Sequence, residues 1–342
     1  MRKIMFLLAL LCLSAAVFLA FFVPAAWLST PSFESPTIRF EIKSGETAKD
    51  IAAHLKTDGI VVWQTGYRIY GFIDAAVGRP KAGVFNLKSG MSYRSLARLF
   101  ALGPQKEEIE AKVIEGWTLE DEARSLEKTG SVPAAFFALT GNPKNDKLFN
   151  RELAQDYSFL SGLPKNATLE GYLFPNTYRV WRDQLPEALI RKQLDEFGKQ
   201  TAAMRDAAQK QGKSFRDMLI LASIVEKEAT DAQDKKIVAG ILSNRLRIGM
   251  ALQTDSTINY VTQAARARAT LKDLELVSPY NTYKNKGLPP APICNPGRDA
   301  LDAALNPAKT DYLYYLHDAD GKSYYAKTLE EHKRNRFKAY GE

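Results

Sequence analysis

Ser214-Phe215-Arg216-Asp217-Met218-Leu219-Ile220-Leu221-Ala222-Ser223-Ile224-Val225-Glu226-Lys227-Glu228-Ala229 is the stretch around which the chain is organised. Ser214 with Asp217 three residues later is close to a capping box, and the apolar run Met218 to Val225 extends a helix broken only by Ser223. At roughly 100° per residue, Leu221, Ile224, Val225 and Glu228 share one apolar sector. Glu226 falls roughly 160° away from Glu228 on the same wheel, and Lys227 points more nearly to solvent. A carboxyl group pressed against an apolar face has its charged form disfavoured, as a general acid near neutral pH requires. Glu228 is therefore the first catalytic candidate, although the position also suits a boundary carboxylate paired with a basic neighbour.

The flanking segments carry the same helical period. Leu185 to Gln209 precedes the stretch, and Asp234 to Ile248 follows it with Val238, Ile241, Leu242 and Leu246 turned inward. Leu169-Glu170-Gly171-Tyr172-Leu173-Phe174-Pro175-Asn176-Thr177-Tyr178 gathers aromatics around one acid and reads equally as a buried turn. Downstream, the loops Met250 to Tyr260, Ser278 to Tyr283 and Gly287 to Gly297 mix Tyr with Asn, Gln, Thr and Asp between prolines. Flat aromatic faces and amide groups suit sugar rings, which offer CH patches to stack on and hydroxyls to bond. The same tyrosines also suit a rigid surface loop packed on the domain below. Tyr312 to His317 and Ser323 to Lys327 predict a β-hairpin, followed by a short basic helix from Leu329.

Nearer the N-terminus a motif recurs three times: Ser44-Gly45-Glu46-Thr47, Ser89-Gly90-Met91-Ser92 and Glu115-Gly116-Trp117-Thr118. In each, Gly is followed two residues later by Ser or Thr and seven residues later by Ala, which predicts a Gly turn, an N-capping hydroxyl and an amphipathic helix. Ile38 to Ile42 and Ile109 to Val113 supply alternating strands before the first and third copies. The expected architecture is α+β: a small module over 37–105 and a larger mixed domain over 106–342.

Before these lies an N-terminal segment, 1–30, and a linker, 31–36. The 25 residues from Ile4 to Leu28 are uncharged and mostly apolar, long enough to span a hydrocarbon core of about 30 Å. Arg2 and Lys3 precede them, which predicts a single transmembrane helix with the N-terminus cytoplasmic and the bulk of the chain outside. A cleaved signal peptide is the rival, but its apolar region is usually about 7–15 residues.

The formal net charge is +8, of which Arg2 and Lys3 supply two, and the remaining basic residues are scattered. That suits an anionic surface or polymer but offers no basic block, so nucleic acid is not an expected partner. The two cysteines, Cys12 and Cys294, give neither a disulfide framework nor a cysteine metal site, and no metal or other cofactor is expected.

Two resemblances follow. Phe40-x-Ile42-x-x-Gly45-x-Thr47-x-x-x-Ile51-Ala52 with Leu55 and Gly59-Ile60-Val61 resembles the LysM-like region of bacterial cell-wall enzymes, which implies either glycan binding or packing. Leu221 to Glu228, Asn244-Arg245-Leu246, Leu252-Gln253-Thr254-Asp255, Tyr280-Asn281-Thr282-Tyr283, Gly287-Leu288-Pro289-Pro290, Glu170 to Pro175 and the Tyr-rich hairpin resemble the endolytic murein transglycosylases, the YceG-like family. Asn176 stands where that family usually carries Asp. The resemblance covers essentially the whole chain. It implies cleavage of the β-1,4 bond between N-acetylmuramic acid and N-acetylglucosamine inside peptidoglycan strands, leaving 1,6-anhydro ends without consuming water. By motif, the catalytic acid falls on Glu228. Glu170, Tyr172, Asn244, Gln253, Asp255, Tyr280, Asn281 and Tyr283 are expected to position substrate. Such a protein would sit in the bacterial inner membrane, facing the periplasm, with peptidoglycan strands as substrate and peptidoglycan synthases as candidate partners. A muramidase-type hydrolase with Asp255 or Glu170 as second carboxylate, and a noncatalytic wall-binding scaffold, are the alternatives.

Overall fold

The computed structural model describes residues 2–28, 35–142, 148–264 and 269–341. The chain divides into two compact units, Met1–Glu107 and Glu108–Glu342.

In the first unit, α1 (Arg2–Val23) runs into a π-helical turn, Pro24–Leu28. The side chains at 2–4 and 6–9 lie outside the described residues, as does 31–34 of the expected linker. Among the described residues no helix is long and apolar enough to cross a membrane. Phe22 and Ala26, at the end of the apolar run, are buried in the core of this unit. Phe18 and Phe22 both meet the Trp63 ring edge-on. β1 (Thr37–Ile42) leads to α2 (Ala48–Thr57) and α3 (Gln64–Ile73), then to β2 (Gly83–Lys88) and α4 (Tyr93–Leu102). β1 and β2 are antiparallel, with Phe40 opposite Phe85, and alternate residues of each face the helices.

The recurrent Gly motif does one local job in all three places. Gly45, Gly90 and Gly116 take positive φ, and Thr47, Ser92 and Thr118 cap the helices that follow. The copies do not share one module, however. The third belongs to the second unit, between β3 (Glu108–Lys112) and α5 (Leu119–Glu127), because β3 pairs antiparallel with β4 (Thr177–Trp181). α6 (Pro133–Thr140) lies between them in sequence.

The remainder of the second unit is mainly helical: α7 (Glu187–Lys210), α8 (Phe215–Glu228), α9 (Ala232–Arg247), α10 (Asp255–Thr262) and α11 (Arg298–Leu305). The hairpin β5 (Tyr314–His317) and β6 (Ser323–Ala326) and the terminal α12 (Leu329–Tyr340) complete it. Helix α8 is buried along its whole apolar run, Met218 to Val225, with α9 and α11 packed against it. Ser223, the one polar residue in that run, donates to the Ile220 carbonyl and accepts the Ile293 N–H. Its own carbonyl accepts the Cys294 thiol, so the interruption ties the 293–295 segment to the central helix.

Beside that tie sits a buried polar knot centred on Asn295. Its Oδ1 accepts the N–H groups of Gly171 (2.8 Å) and Leu173 (3.1 Å), and its Nδ2 donates to Glu122 Oε1 (2.9 Å). Its backbone pairs with Gly116 and Trp117, so one side chain joins the Glu170 turn, the third Gly turn and α5. Gln193 from α7 donates to the other oxygen of Glu122 at 2.9 Å. Burial pushes the Glu122 carboxyl up to about 8, against the pull of Gln193 and Asn295. Among the described residues the Gln193 carbonyl oxygen is buried without a partner, and turning that amide over would let it accept a hydrogen bond from neutral Glu122. A carboxyl whose folded-state pKa is raised stabilises the fold below its unfolded pKa and loses that contribution as pH rises through about 8. Glu122→Gln should therefore flatten the fall in stability between about pH 5 and pH 8, by an amount on the order of a few kcal/mol. Denaturant midpoints at both pH values test this, and parallel pH slopes in the two proteins would refute it.

Candidate active site

Helix α8 ends at Glu228, where its last turn opens into a cleft of about 1200 Å³. The cleft is lined by residues of α5, α8, the Glu170 turn, α10, β5 and α12. The two glutamates of Glu226-Lys227-Glu228 have different fates. Glu226 is turned inward, where Oε1 pairs with Lys235 of α9 at 2.7 Å and Oε2 accepts the Gly297 N–H at 2.9 Å. Both partners of that ion pair are more than nine-tenths buried, so it is a structural clamp between α8, α9 and the start of α11. Glu228 lines the cleft, half-buried, and Lys227 is exposed at its edge.

Glu228 Oε2 accepts the hydroxyl of Tyr315 at 2.8 Å. Burial holds the Tyr315 phenol well above its ordinary value, with the nearby Glu228 carboxyl adding to the effect, so this hydroxyl remains a donor. Two residues further along β5, His317 Nε2 lies 2.6 Å from Asp234 Oδ2, and Tyr325 donates to the other oxygen of that carboxylate. The Asp234 carboxylate raises the His317 pKa against the opposing cost of burial. Arg245 is buried beneath the cleft, where it donates to the backbone carbonyls of Leu313 and Leu252.

Five of the residues expected from sequence come together here: Glu228, Glu170, Gln253, Asp255 and Tyr283 all line the cleft. Glu170 is only 1% exposed. Its carboxyl accepts the Leu119 N–H (3.2 Å), at the first turn of α5, and the Tyr260 hydroxyl (3.2 Å). Burial raises its pKa well above the ordinary range despite those two donors, and nearby Glu122 adds to the rise. Asp255, at the start of α10, accepts the Tyr283 hydroxyl at 2.6 Å. Gln253 sits just before it with φ of +49°, a left-handed backbone unusual outside Gly and Asn. That turn is held by the Gln253 N–H on the Thr282 carbonyl and the Thr254 N–H on the Thr282 hydroxyl.

The other four do not line it. Tyr172 is 3% exposed and packs its ring against Phe197, 5.3 Å away, inside the core. Asn244 donates to the carbonyls of Thr310 and Tyr312, pinning the strand that leads into β5. Asn281 is fully buried and donates to the carbonyls of Leu274 and Leu276. Tyr280 packs behind Tyr260 at 5.2 Å between ring centres. These side chains brace the walls, because their polar atoms are taken up by backbone or their rings by the core. Tyr315, His317, Asp234 and Tyr260 are not singled out by the sequence; its one signal is the density of tyrosines in the hairpin, which bears on Tyr315 and His317. Among the described residues no group of His, Cys, Asp and Glu is placed to hold a metal ion.

The comparisons with known proteins agree with one another. A model of the YceG-like family matches residues 40–338. A protein of Bacillus subtilis named endolytic murein transglycosylase is 32% identical, over 87% of this chain and 83% of its own length. A protein of that name from Streptococcus pneumoniae is 30% identical over 97% of this chain, which spans 64% of that relative's length. The crystal structure of a YceG-like protein from Listeria monocytogenes superposes with a TM-score of 0.59 at 32% identity, covering 88% of this chain and 100% of that one. The chain belongs to the YceG-like family.

Proposed function

We propose that this chain is an endolytic peptidoglycan lytic transglycosylase with Glu228 as its catalytic acid and base. Glu228 donates a proton to the glycosidic oxygen as the bond to C1 of the muramoyl residue breaks, and the leaving N-acetylglucosamine departs as a neutral alcohol. The muramoyl 6-hydroxyl then attacks C1 and returns its proton to Glu228, leaving the 1,6-anhydro end with no water consumed. One carboxyl group suffices because the nucleophile is tethered within the substrate and has a high effective concentration.

The observation that carries this reading is how the other candidate carboxyls are occupied. A hydrolase needs a second carboxylate to hold water or attack C1. Asp255 is committed to Tyr283, and Glu170 is engaged by Leu119 and Tyr260 in a setting that favours its neutral form. Glu228 and Asp255 are each bonded at one oxygen only among the described residues, but Glu228 stands at the end of the buried central helix, clamped to α9 through its neighbour Glu226. In this reading Glu170, Gln253, Asp255 and Tyr283 contact the sugars, while Tyr172, Asn244, Tyr280 and Asn281 support the groove without touching them.

The uncharged run Ile4 to Leu28 behind Arg2 and Lys3 supports a single-pass inner-membrane anchor with the cleft in the periplasm. The order β1, α2, α3, a short helix Ala75–Gly78 and β2 supports a LysM-like module, with one added helical turn, ahead of the catalytic domain. An enzyme so placed would cut strands as they leave the membrane, beside the synthases that make them. Long, purified glycan strands incubated with the protein test the reading by the size of what is released. Fragments of many intermediate lengths from the outset support endolytic cutting. Release of disaccharides from strand ends would overturn the endolytic part, and unchanged strands would favour the scaffold.

A further inference from the structure

A single carboxyl that gives a proton and later takes one back needs the proton on the same oxygen, aimed the same way, in both steps. Nothing in the Glu228 side chain itself makes its two oxygens different. The surroundings do. Oε2 receives the Tyr315 hydroxyl, and among the described residues Oε1 receives no hydrogen bond. Tyr315 is itself held from both ends of its strand. On one side Asn244 and Arg245 of α9 grip the carbonyls of Thr310, Tyr312 and Leu313. On the other, His317 pairs with Asp234 in the first turn of the same helix, with the rings of Tyr315 and His317 6.1 Å apart. Helix α9 is packed on α8 and clamped to it by the Glu226–Lys235 pair, so the donor and the acceptor stand on one connected frame.

We propose that Tyr315 is the positioning residue for Glu228: its buried hydroxyl occupies Oε2 and thereby leaves Oε1 as the atom that delivers and recovers the proton. The inference rests on Glu228 being the acid and base. In the acid step the Oε1–H bond breaks and its proton goes to the glycosidic oxygen, while Tyr315 stabilises the carboxylate formed. In the second step the 6-hydroxyl proton goes to Oε1, and the Tyr315 proton stays on tyrosine throughout. A buried tyrosine needs an acceptor wherever it sits. Here the acceptor is the cleft-facing carboxyl itself, so this partner acts on the reaction as well as on the fold. Arg245, His317 and Tyr283 also face that carboxyl and remain in place in the variants below.

The test uses the full-length protein in detergent with glycan strands as substrate. Tyr315→Phe keeps the ring and removes the donor. It should lower kcat by about 10–100-fold with KM little changed, the range expected for losing a hydrogen bond to a charged group. The alkaline limb of the kcat/KM profile, set by loss of the Glu228 proton, should move to higher pH, because the ionised carboxyl has lost a donor. Fluorotyrosine at 315 keeps the hydroxyl as a stronger donor. It should retain kcat and move the limb the other way, a result that loss of packing would not give. Added to Glu228→Gln, the Phe substitution should cost nothing further. Wild-type kcat and pH profile in Tyr315→Phe, a change confined to KM, or equal loss in the fluorotyrosine protein would each overturn the proposal. An inactive Glu228→Gln beside a normal Tyr315→Phe removes only the role of Tyr315, whereas a fully active Glu228→Gln removes the acid assignment beneath it.

Discussion

Glu228→Gln yields a folded protein whose release of glycan fragments falls by about 10²–10⁴-fold, the usual contribution of a positioned acid and base. Gln keeps the shape of the side chain and still accepts the Tyr315 hydroxyl, so the cleft wall stays closed and the melting temperature stays near that of the parent. What it removes is the exchangeable proton. Glu226→Gln behaves differently, because Glu226 is the buried partner of Lys235 and makes no contribution to the cleft lining. Its loss leaves a buried ammonium with half its partner and lowers stability, with activity reduced only as far as folding is. Fragment release and thermal melts, measured side by side on the two variants, separate the chemical glutamate from the structural one. Full activity in Glu228→Gln would remove the assignment.

Asn295→Ala lowers the unfolding free energy by about 3–5 kcal/mol, from the loss of several buried hydrogen bonds and the polar atoms left unpaired. The substitution strands the N–H groups of Gly171 and Leu173 and deprives Glu122 of a donor, all inside the core. The damage reaches the site, because the turn that Asn295 holds is the one presenting Glu170 to the cleft. Guanidinium unfolding checks it: the midpoint should drop with the slope unchanged. A loss below about 1 kcal/mol would show that the knot is dispensable, as for an ordinary solvent-exposed hydrogen bond.

The features legible in the sequence are those written at short range. The central helix could be read because its apolar spacing is local, but the wheel puts Glu228 in the apolar sector and Glu226 outside it, whereas the structure buries the Glu226 side chain on Lys235 and leaves Glu228 half-buried at the cleft. The capping hydroxyls Thr47, Ser92 and Thr118 could be read for the same reason. The third copy lies beyond the expected boundary at 105–106, and what the sequence leaves out is its partner: β3 pairs with β4 some 70 residues on, which no local pattern encodes. Tyr315 and Glu228 are 87 residues apart, and their contact depends on how the hairpin is pinned to α9. Loop composition misled for a different reason. Tyr and Asn serve a sugar groove and a braced wall equally well, so Tyr283 and Asn281, two residues apart, could not be told apart. One lines the cleft, and the other is fully buried on carbonyls. Ser223 reads as a flaw in an apolar run until the distant Ile293 N–H that it accepts is seen.

The most direct test of Glu228 chemistry with a tethered nucleophile is digestion of glycan strands in water enriched in heavy oxygen, followed by mass measurement of the new ends. The 6-hydroxyl of the substrate closes the reaction, so the new muramoyl ends should be lighter by one water than reducing ends and carry no heavy oxygen. Reducing muramic ends bearing one heavy oxygen each would mean that water is the nucleophile and that the site works as a hydrolase.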